Sequence, residues 1–207
     1  MLGLKNLCYK LRSFFKIRIY LKVLIVDNKD SFTYNLKHYI NRFCDDIAVV
    51  RCNKLQIEDV SRYDKILFSA GSGLPKEYPI LNDILHIYGS SKSILGVCLG
   101  QQAIAEFYGC KLENLNAAMH GMDSRIKHLD NCSLYKNIPL SFKVGHYHSW
   151  VVSVKDVPKV LEITSINESG LVMSIKHKEY DIKAVQFHPE SILTEYGLKL
   201  IENWLLY

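Results

Sequence analysis

The first half of the chain carries short apolar runs that predict strands. Lys22–Asp27 is a nearly continuous apolar run that ends in polar residues, which is typical of a strand buried on both faces of a sheet. Similar runs predict three further strands, over 47–51, 64–69 and 93–97. The lengths of these runs fit buried strands better than buried helices.

Amphipathic stretches lie between these strands and predict helices. Ser31 can cap a helix whose apolar positions begin at Phe32 and recur at helical spacing. Two further helices are predicted over 79–88, after an N-terminal proline, and over 99–108, which Gly109 ends. Because strands and helices alternate, this half predicts a parallel sheet with helices on both faces.

The second half changes to segments rich in Val, Ile and aromatic residues, joined by short polar turns. This pattern is typical of antiparallel strands. Such segments lie at 124–129, 142–154, 160–166, 171–176 and 182–187. A closing helix is predicted over 194–205, and we expect one domain over 21–207 because no repeat or linker interrupts it.

Composition and charge narrow the class of protein. Of 207 residues, 48% are hydrophobic and 23% charged, as in soluble globular proteins, and no apolar run is long enough for a membrane span. Residues 1–21 hold five basic residues and no acidic one, which leaves 21 basic against 21 acidic residues elsewhere. We therefore expect no nucleic-acid partner and interpret residues 1–20 as a basic extension, disordered or helical.

The six cysteines form no C-x-x-C pair and lie mostly in apolar segments. A chain of this size needs no disulfides for stability, so this usage favours reduced thiols and a cytoplasmic location. The basic N-terminus also lacks the apolar core and the small-residue cleavage site of a secretory signal.

Cys98 is a candidate nucleophile because it lies between two glycines, in Gly96-Val97-Cys98-Leu99-Gly100, where a strand meets a helix. Flanking glycines permit a sharp turn that exposes the side chain between them. A thiol at a helix N-terminus is also favoured as the thiolate. On the pentapeptide alone, a buried cysteine with only a structural role is an equally good interpretation.

His188 and Glu190 are candidate partners of Cys98, in the stretch Gln186-Phe187-His188-Pro189-Glu190. The residue before a proline is extended, so these two side chains can point to the same side. Glu190 could then orient an imidazole that exchanges a proton with the thiol. A His-x-Glu pair in a sequence is more often an exposed pair on the protein surface. It is evidence for a catalytic site here only in combination with Cys98.

A glycine-containing loop follows the predicted strand over 64–69 and reads Ala70-Gly71-Ser72-Gly73. In open α/β sheets ligands bind at this end of the strands, and backbone N–H groups here could face an oxyanion. A nucleotide site is not indicated, because neither a P-loop nor a G-x-G-x-x-G motif occurs. The alternative interpretation of this loop is an ordinary turn without a ligand.

Together, GVCLG, HPE, the AGSG loop and the opening VDNKDSFTYNL resemble the class I (triad) glutamine amidotransferases. The similarity is greatest to the glutaminase component of synthases that aminate chorismate to anthranilate or aminodeoxychorismate, and it covers about 21–207. It implies an α/β, flavodoxin-like fold: a mostly parallel central sheet, flanking helices and an antiparallel region in the C-terminal half.

The resemblance also implies a mechanism and partners. Cys98 would attack the side-chain amide of L-glutamine, His188 would move the protons and Glu190 would hold His188. Ammonia would pass to a larger, chorismate-binding synthase subunit that carries Mg²⁺, so no cofactor or metal is expected in this chain. The glutamine contacts of the family map onto Gly71, Ser72, Gly73, Leu99, Gln102, Ser149 and Trp150.

Two departures and two alternatives accompany this resemblance. Ala70 and Ser72 replace prolines of the family's loop, and Gln101 stands where histidine is common.

His146 and His148 alternate on a predicted strand, but no further ligands lie near them in the sequence, so we do not expect a metal. Two other functions are alternatives for this chain: a free-standing γ-glutamyl thiol hydrolase, and a binding module without catalytic turnover.

Overall fold

One continuous nine-stranded sheet organises the protein. The computed structural model describes residues 20–129, 132–155 and 157–207, and the predicted extension lies outside these residues apart from Tyr20. The strands lie in the order β2-β1-β3-β4-β9-β8-β7-β5-β6. Their bounds are β1 Lys22–Asn28, β2 Asp46–Arg51, β3 Lys65–Gly71, β4 Ser93–Val97, β5 Leu112–His128, β6 Ser141–Val152, β7 Leu161–Asn167, β8 Val172–His177 and β9 Ile182–Val185.

The first five strands in this order, β2-β1-β3-β4-β9, are mutually parallel. This is the flavodoxin-like order, and it confirms the predicted fold class. The remaining strands pair antiparallel and extend the same sheet, so they are not a separate region.

The prediction of an antiparallel strand over 182–187 is only half right. β9 is antiparallel to β8 but parallel to β4, and it therefore joins the two parts of the sheet. All four of its residues are buried, as expected for a strand covered on both faces. Its position beside β4 brings the segment that follows it next to Cys98.

In the described part of the chain, four α-helices cover the two faces of the parallel strands: α1 Thr33–Ile40, α2 Pro79–Tyr88, α3 Leu99–Phe107 and α4 Gly197–Leu206. Helices α1 and α4 pack on one face, where Leu36 and Trp204 share a core with Val23. Helices α2 and α3 pack on the other, where Leu81 and Ile104 are members of the second core. Successive residues of β1 alternate between the two cores, as side chains of a strand must.

The start of α1 differs from the prediction. Phe32, not Ser31, occupies the N-cap position. The side chain of Asp30 accepts a hydrogen bond from the Phe32 N–H (2.7 Å), and Thr33 Oγ1 donates to Asp27 (3.0 Å). These two aspartates fix the turn between β1 and α1, so the hydroxyl of Ser31 is not needed there.

The ends of α4 and β5 also differ from their predictions. α4 begins at Gly197, three residues after the predicted start, and β5 begins at Leu112, well before the predicted 124. Most of β5 is at least partly exposed, so its first half has no strong apolar pattern to reveal it. Among the helices of the described residues, none is long and apolar enough to span a bilayer.

Candidate active site

Cys98 lies in the turn between β4 and α3, at the carboxyl edge of the parallel strands. Its backbone has φ 51° and ψ −101°, a conformation that is strained for any residue other than glycine. The Cys98 N–H donates to Val185 O of β9 (2.8 Å), and the Cys98 carbonyl accepts from the Gln102 N–H of α3 (3.1 Å). The turn is therefore fixed on both sides.

The glycines on either side of Cys98 permit the close approach of helix and sheet. A Cβ added at Gly96 would lie 2.6 Å from the backbone of Gly100, and a Cβ added at Gly100 would lie 2.6 Å from the carbonyl oxygen of Phe68. No larger side chain fits at either position without displacement of the backbone. The helix N-terminus can thus lie directly against the edge of the sheet.

His188 and Glu190 follow β9, the strand next to β4. His188 Nδ1 and Glu190 Oε1 are 2.7 Å apart, and both side chains are almost fully buried. Burial alone would lower the pKa of His188, but interactions with Cys98 and Glu190 outweigh it and raise this pKa well above its usual value. The predicted thiol, imidazole and carboxylate are thus brought together at adjacent strands.

The other ring nitrogen of His188, Nε2, is buried and has no conventional hydrogen-bond partner among the described residues. It is the nitrogen left for the thiol side of the site, because Nδ1 is held by Glu190. An imidazole held in this way can accept and return a proton at a single position.

Gln186 contacts the sulfur and was missed as a site residue. Its Nε2 lies 3.6 Å from Cys98 Sγ, and its Oε1 lies 3.4 Å from Gln102 Nε2. Gln102 also donates to the carbonyl oxygen of Trp150 (2.9 Å). The sequence feature that could have identified Gln186 as a site residue is its position two residues before His188, at the end of a buried strand.

A cavity of about 190 Å³ opens beside Cys98. This volume is below that of a drug-sized pocket and suits a molecule as small as an amino acid. Six of the seven predicted glutamine contacts contribute to its wall; the seventh, Leu99, is a buried residue whose backbone begins α3. The lining residues are Gly71, Ser72, Gly73, Cys98, Gln102, Ala118, His120, Tyr147, His148, Ser149 and Trp150.

The predicted loop over 70–73 begins two residues later than expected, because β3 extends to Gly71. Side-chain hydrogen bonds hold this segment in place. Asn28 Nδ2 donates to Ser69 O (2.8 Å), and Tyr78 OH donates to Ser72 O (2.8 Å). Gly73 has φ +74°, a region that suits glycine. Side-chain hydrogen bonds to the carbonyl groups of Ser69, in β3, and Ser72, in the loop, therefore fix this segment without prolines at positions 70 and 72.

An aromatic cluster of Tyr147, Phe32 and His120 covers His188, and the last two were missed as part of the site. Tyr147 lies edge-on to His188 with ring centroids 5.0 Å apart, and Phe32 contacts both rings at 5.6 and 6.3 Å. His120 packs edge-on against Tyr147 (5.3 Å). Phe32 was predicted only as an apolar position of α1. A helical pattern does not show that the side chain of the N-cap residue packs against the site and not against the sheet.

Asp30 lies beside this cluster. Burial raises its pKa, and the Phe32 N–H and the charge of His188 only partly oppose this effect. The carboxyl group of Asp30 therefore adds a second acidic group near His188, besides Glu190.

His146 and His148 lie on the same side of β6, as their alternation predicts, and contact each other. His146 Nδ1 is 3.2 Å from His148 Nε2, and His146 Nε2 is 2.7 Å from Ser124 Oγ. Burial, with smaller contributions from neighbouring histidines, lowers the pKa of His146 to about 4 and that of His148 to about 3. Across residues 20–129, 132–155 and 157–207, no group of three or more acidic, cysteine or histidine side chains is arranged to bind a metal.

Comparison with known proteins assigns the chain to a family. The family model "Glutamine amidotransferase class-I" matches residues 24–207. A Haemophilus influenzae protein assigned as anthranilate synthase component II is 41% identical over 185 residues, which are 89% of this chain and 96% of that protein. Aminodeoxychorismate synthase component 2 of Escherichia coli is 37% identical over 185 residues, with 88% and 98% covered.

A solved structure shares the fold at lower sequence identity. A Thermoplasma acidophilum protein described as part of a GMP synthase superimposes with a TM-score of 0.80 at 22% identity, over 91% of this chain and 94% of that one. The strand order, the cavity at the carboxyl edge and the family match together define the class of protein. The chain belongs to the class I glutamine amidotransferases.

Proposed function

We propose that this protein is a glutaminase that hydrolyses the side-chain amide of L-glutamine through Cys98, His188 and Glu190. The observation that carries the proposal is the convergence of the three side chains at the ends of β4 and β9, beside a cavity sized for an amino acid. Their roles follow from their chemistry. The thiolate is the nucleophile, the imidazole moves protons and the carboxylate holds the imidazole.

The reaction proceeds in two stages. Cys98 Sγ attacks the amide carbon, and the N–H groups of Leu99 and Gly73 stabilise the oxyanion that forms. Protonated His188 gives its proton to the amide nitrogen, so that ammonia leaves and a glutamyl thioester remains. His188 then accepts a proton from water, which attacks the thioester and releases glutamate and the thiolate.

The remaining cavity residues would hold the rest of glutamine. Ser149, Trp150 and the loop Gly71-Ser72-Gly73 line the same cavity as Cys98 and would contact the α-amino and α-carboxylate groups. Gln102 contacts the backbone of Trp150 and so fixes one part of this wall. Gln186, through its contact with Cys98 Sγ, would orient the sulfur towards the amide carbon.

The ammonia would be used by a second, chorismate-binding subunit that makes anthranilate or aminodeoxychorismate. Relatives named as the second component of both synthases support this assignment, because the chain covers almost their full length. The chorismate site and its Mg²⁺ would belong to the other subunit, and we propose no cofactor for this one. Buried cysteines with free thiols support a cytoplasmic location.

The test is glutamine hydrolysis by the purified chain, first alone and then with chorismate and its synthase partner. We expect that the partner greatly stimulates glutamate release and that each glutamine consumed yields one aminated product. Equal turnover without the partner would instead favour the free-standing γ-glutamyl hydrolase. The identity of the product separates anthranilate from aminodeoxychorismate synthesis.

A further inference from the structure

The side-chain amide of Gln186 reaches the sulfur of Cys98 from the neighbouring strand. Gln186 is fully buried and is not one of the described residues that line the cavity. Its backbone is fixed at the end of β9, because its N–H donates to the carbonyl oxygen of Met173 in β8 (2.8 Å). The carbonyl oxygen of the preceding residue, Val185, accepts from the Cys98 N–H (2.8 Å). Both residues of the contact are therefore held by the sheet.

A series of hydrogen bonds fixes which end of the Gln186 amide faces the sulfur. The backbone oxygen of Trp150 can only accept, so the Gln102 atom that lies 2.9 Å from it is the amide nitrogen. The second hydrogen of this nitrogen needs another acceptor, and Gln186 Oε1 lies 3.4 Å away. Gln186 therefore directs its other amide atom, the donor Nε2, at Cys98 Sγ, which is 3.6 Å away.

A donor in this position acts on the charged form of the sulfur. A thiolate can accept a hydrogen bond from Gln186 Nε2, whereas a thiol proton would find no acceptor on an amide nitrogen. A hydrogen bond to the charged form of a group favours that form. In the proposed reaction the sulfur is negatively charged twice, before it attacks glutamine and again when the glutamyl thioester breaks down.

We propose that Gln186 is a further catalytic residue, which donates a hydrogen bond to the sulfur of Cys98 and stabilises its negative charge in both stages of the reaction. The inference rests on the proposed function, because it assigns Gln186 a role in glutamine hydrolysis. Gln186 gives up no proton, and His188 still performs the proton transfers. Gln102 is a positioning residue in this respect, since it holds the Gln186 amide in the orientation that presents Nε2 to the sulfur.

The experiment compares the wild type with Gln186→Met and Gln186→Glu over a range of pH, each in complex with the synthase partner and supplied with chorismate. Methionine has a similar length but no donor. We expect Gln186→Met to lower kcat for glutamate release by about 10-fold, the lower end of the effect of a hydrogen bond to a charged group. KM for glutamine should stay near that of the wild type, because Gln186 does not line the cavity.

Gln186→Glu distinguishes a donor from a packing residue through its dependence on pH. A protonated carboxyl group can accept from Gln102 and donate its O–H to the sulfur, whereas an ionised one places a negative charge beside the thiolate. The ratio of variant to wild-type kcat should therefore fall as the pH rises. The ratio for Gln186→Met should not fall with pH. The other acidic and basic groups near the sulfur, His188, Glu190 and Asp30, are present in all three proteins.

Gln101→Met is the matched control. Gln101 is also a fully buried amide near Cys98, but neither of its polar side-chain atoms has a hydrogen-bond partner in the part of the chain that the structure describes. This variant should keep the kcat of the wild type at each pH.

A second measurement does not require turnover. Iodoacetamide alkylates a thiolate, and mass spectrometry of the peptide that contains Cys98 follows this reaction without glutamine. The pH dependence of alkylation should move to higher pH in Gln186→Met, because the thiolate loses a donor. It should not move in Gln101→Met.

A kcat for Gln186→Met close to that of the wild type would overturn the inference. So would equal, pH-independent losses in both Gln186 variants, because this is the expected result of disturbed packing at the end of β9. If Gln186→Met does not fold, the pH trend of Gln186→Glu decides alone. Absence of glutamate release by the wild-type complex would instead overturn the proposed function, and the alkylation profiles would still show whether Gln186 donates to the sulfur.

Discussion

At the scale of single residues, the hydrogen bond between His188 Nδ1 and Glu190 Oε1 is the contact that controls proton transfer in our account. Both groups are buried, so the carboxylate acts on the imidazole with little screening by water. It fixes which ring nitrogen faces the thiol, and it contributes to the raised pKa of His188.

Glu190→Gln should therefore lower kcat by about 100-fold or more, within the range expected for proton transfer by a positioned group. It should also move the alkaline limb of the pH dependence of kcat/KM to lower pH, because the imidazolium loses an interaction that raised its pKa. The pH–rate profiles of variant and wild type measure both effects. An unchanged alkaline limb would mean that Glu190 does not set the protonation of His188.

Residues of this site could be predicted where a sequence motif contains a chemically reactive residue type at the end of a predicted strand. Cys98, His188 and Glu190 could be selected because a thiol between glycines and a His-Pro-Glu stretch both end predicted strands. Gln186 and Tyr147 could not be given roles in this way, since their contacts depend on how β9 and β6 meet. Distances across a sheet are not contained in local sequence patterns.

At the scale of elements, the turn from β4 to α3 depends on close packing. A Cβ at Gly100 would meet the backbone of Phe68, which cannot move without disturbing β3. We expect Gly100→Ala to destabilise the fold by about 1–3 kcal/mol, as overpacking does, and to reduce glutaminase activity because the turn carries Cys98. Chemical denaturation and glutamate release measure the two effects.

Gly170→Ala is the matched control for this change. Among the described residues, no atom beyond the two chain neighbours lies within 4 Å of the added Cβ, but φ is +77°, so only backbone strain of about 1 kcal/mol is expected. Its activity should equal that of the wild type. If Gly100→Ala behaved like this control, close packing at the turn would not be what positions the thiol.

The histidine pair of β6 predicts how stability depends on pH. Folding lowers the pKa of His146 to about 4 and that of His148 to about 3, so below pH 6.5 the unfolded chain binds more protons than the folded one. The free energy of unfolding should therefore fall as the pH decreases from about 6.5 towards 3. His188 acts in the opposite sense, because its raised pKa adds stability at low pH that is lost as the pH rises through that raised value.

Denaturant unfolding at a series of pH values measures this slope. His146→Gln removes one of the two buried acceptors and should make the slope shallower between pH 6.5 and 4. The charged neighbours of the pair are His188 and Asp123, and neither is changed by this substitution. A variant with the same slope as the wild type would show that His146 is not buried as a neutral group.

At the scale of the whole molecule, the sequence predicted the class of fold better than the arrangement of its second half. Four of the five parallel strands follow from apolar runs that alternate with helices. Placement of β9 between β4 and β8 could not be predicted, because a short, fully buried strand has no alternation to indicate its partners. This placement is also what brings His188 next to Cys98, so the least predictable strand positions the site.

The most direct test of the account is the rate of glutamate release from glutamine by wild type, Cys98→Ser and Cys110→Ser, each with the synthase partner present. Cys110 is also buried, but it does not lie in a strained turn, and burial raises the pKa of its thiol. Our account predicts that Cys98→Ser abolishes glutamate release while Cys110→Ser retains it. Undiminished glutamate release by Cys98→Ser would contradict the assignment of the nucleophile.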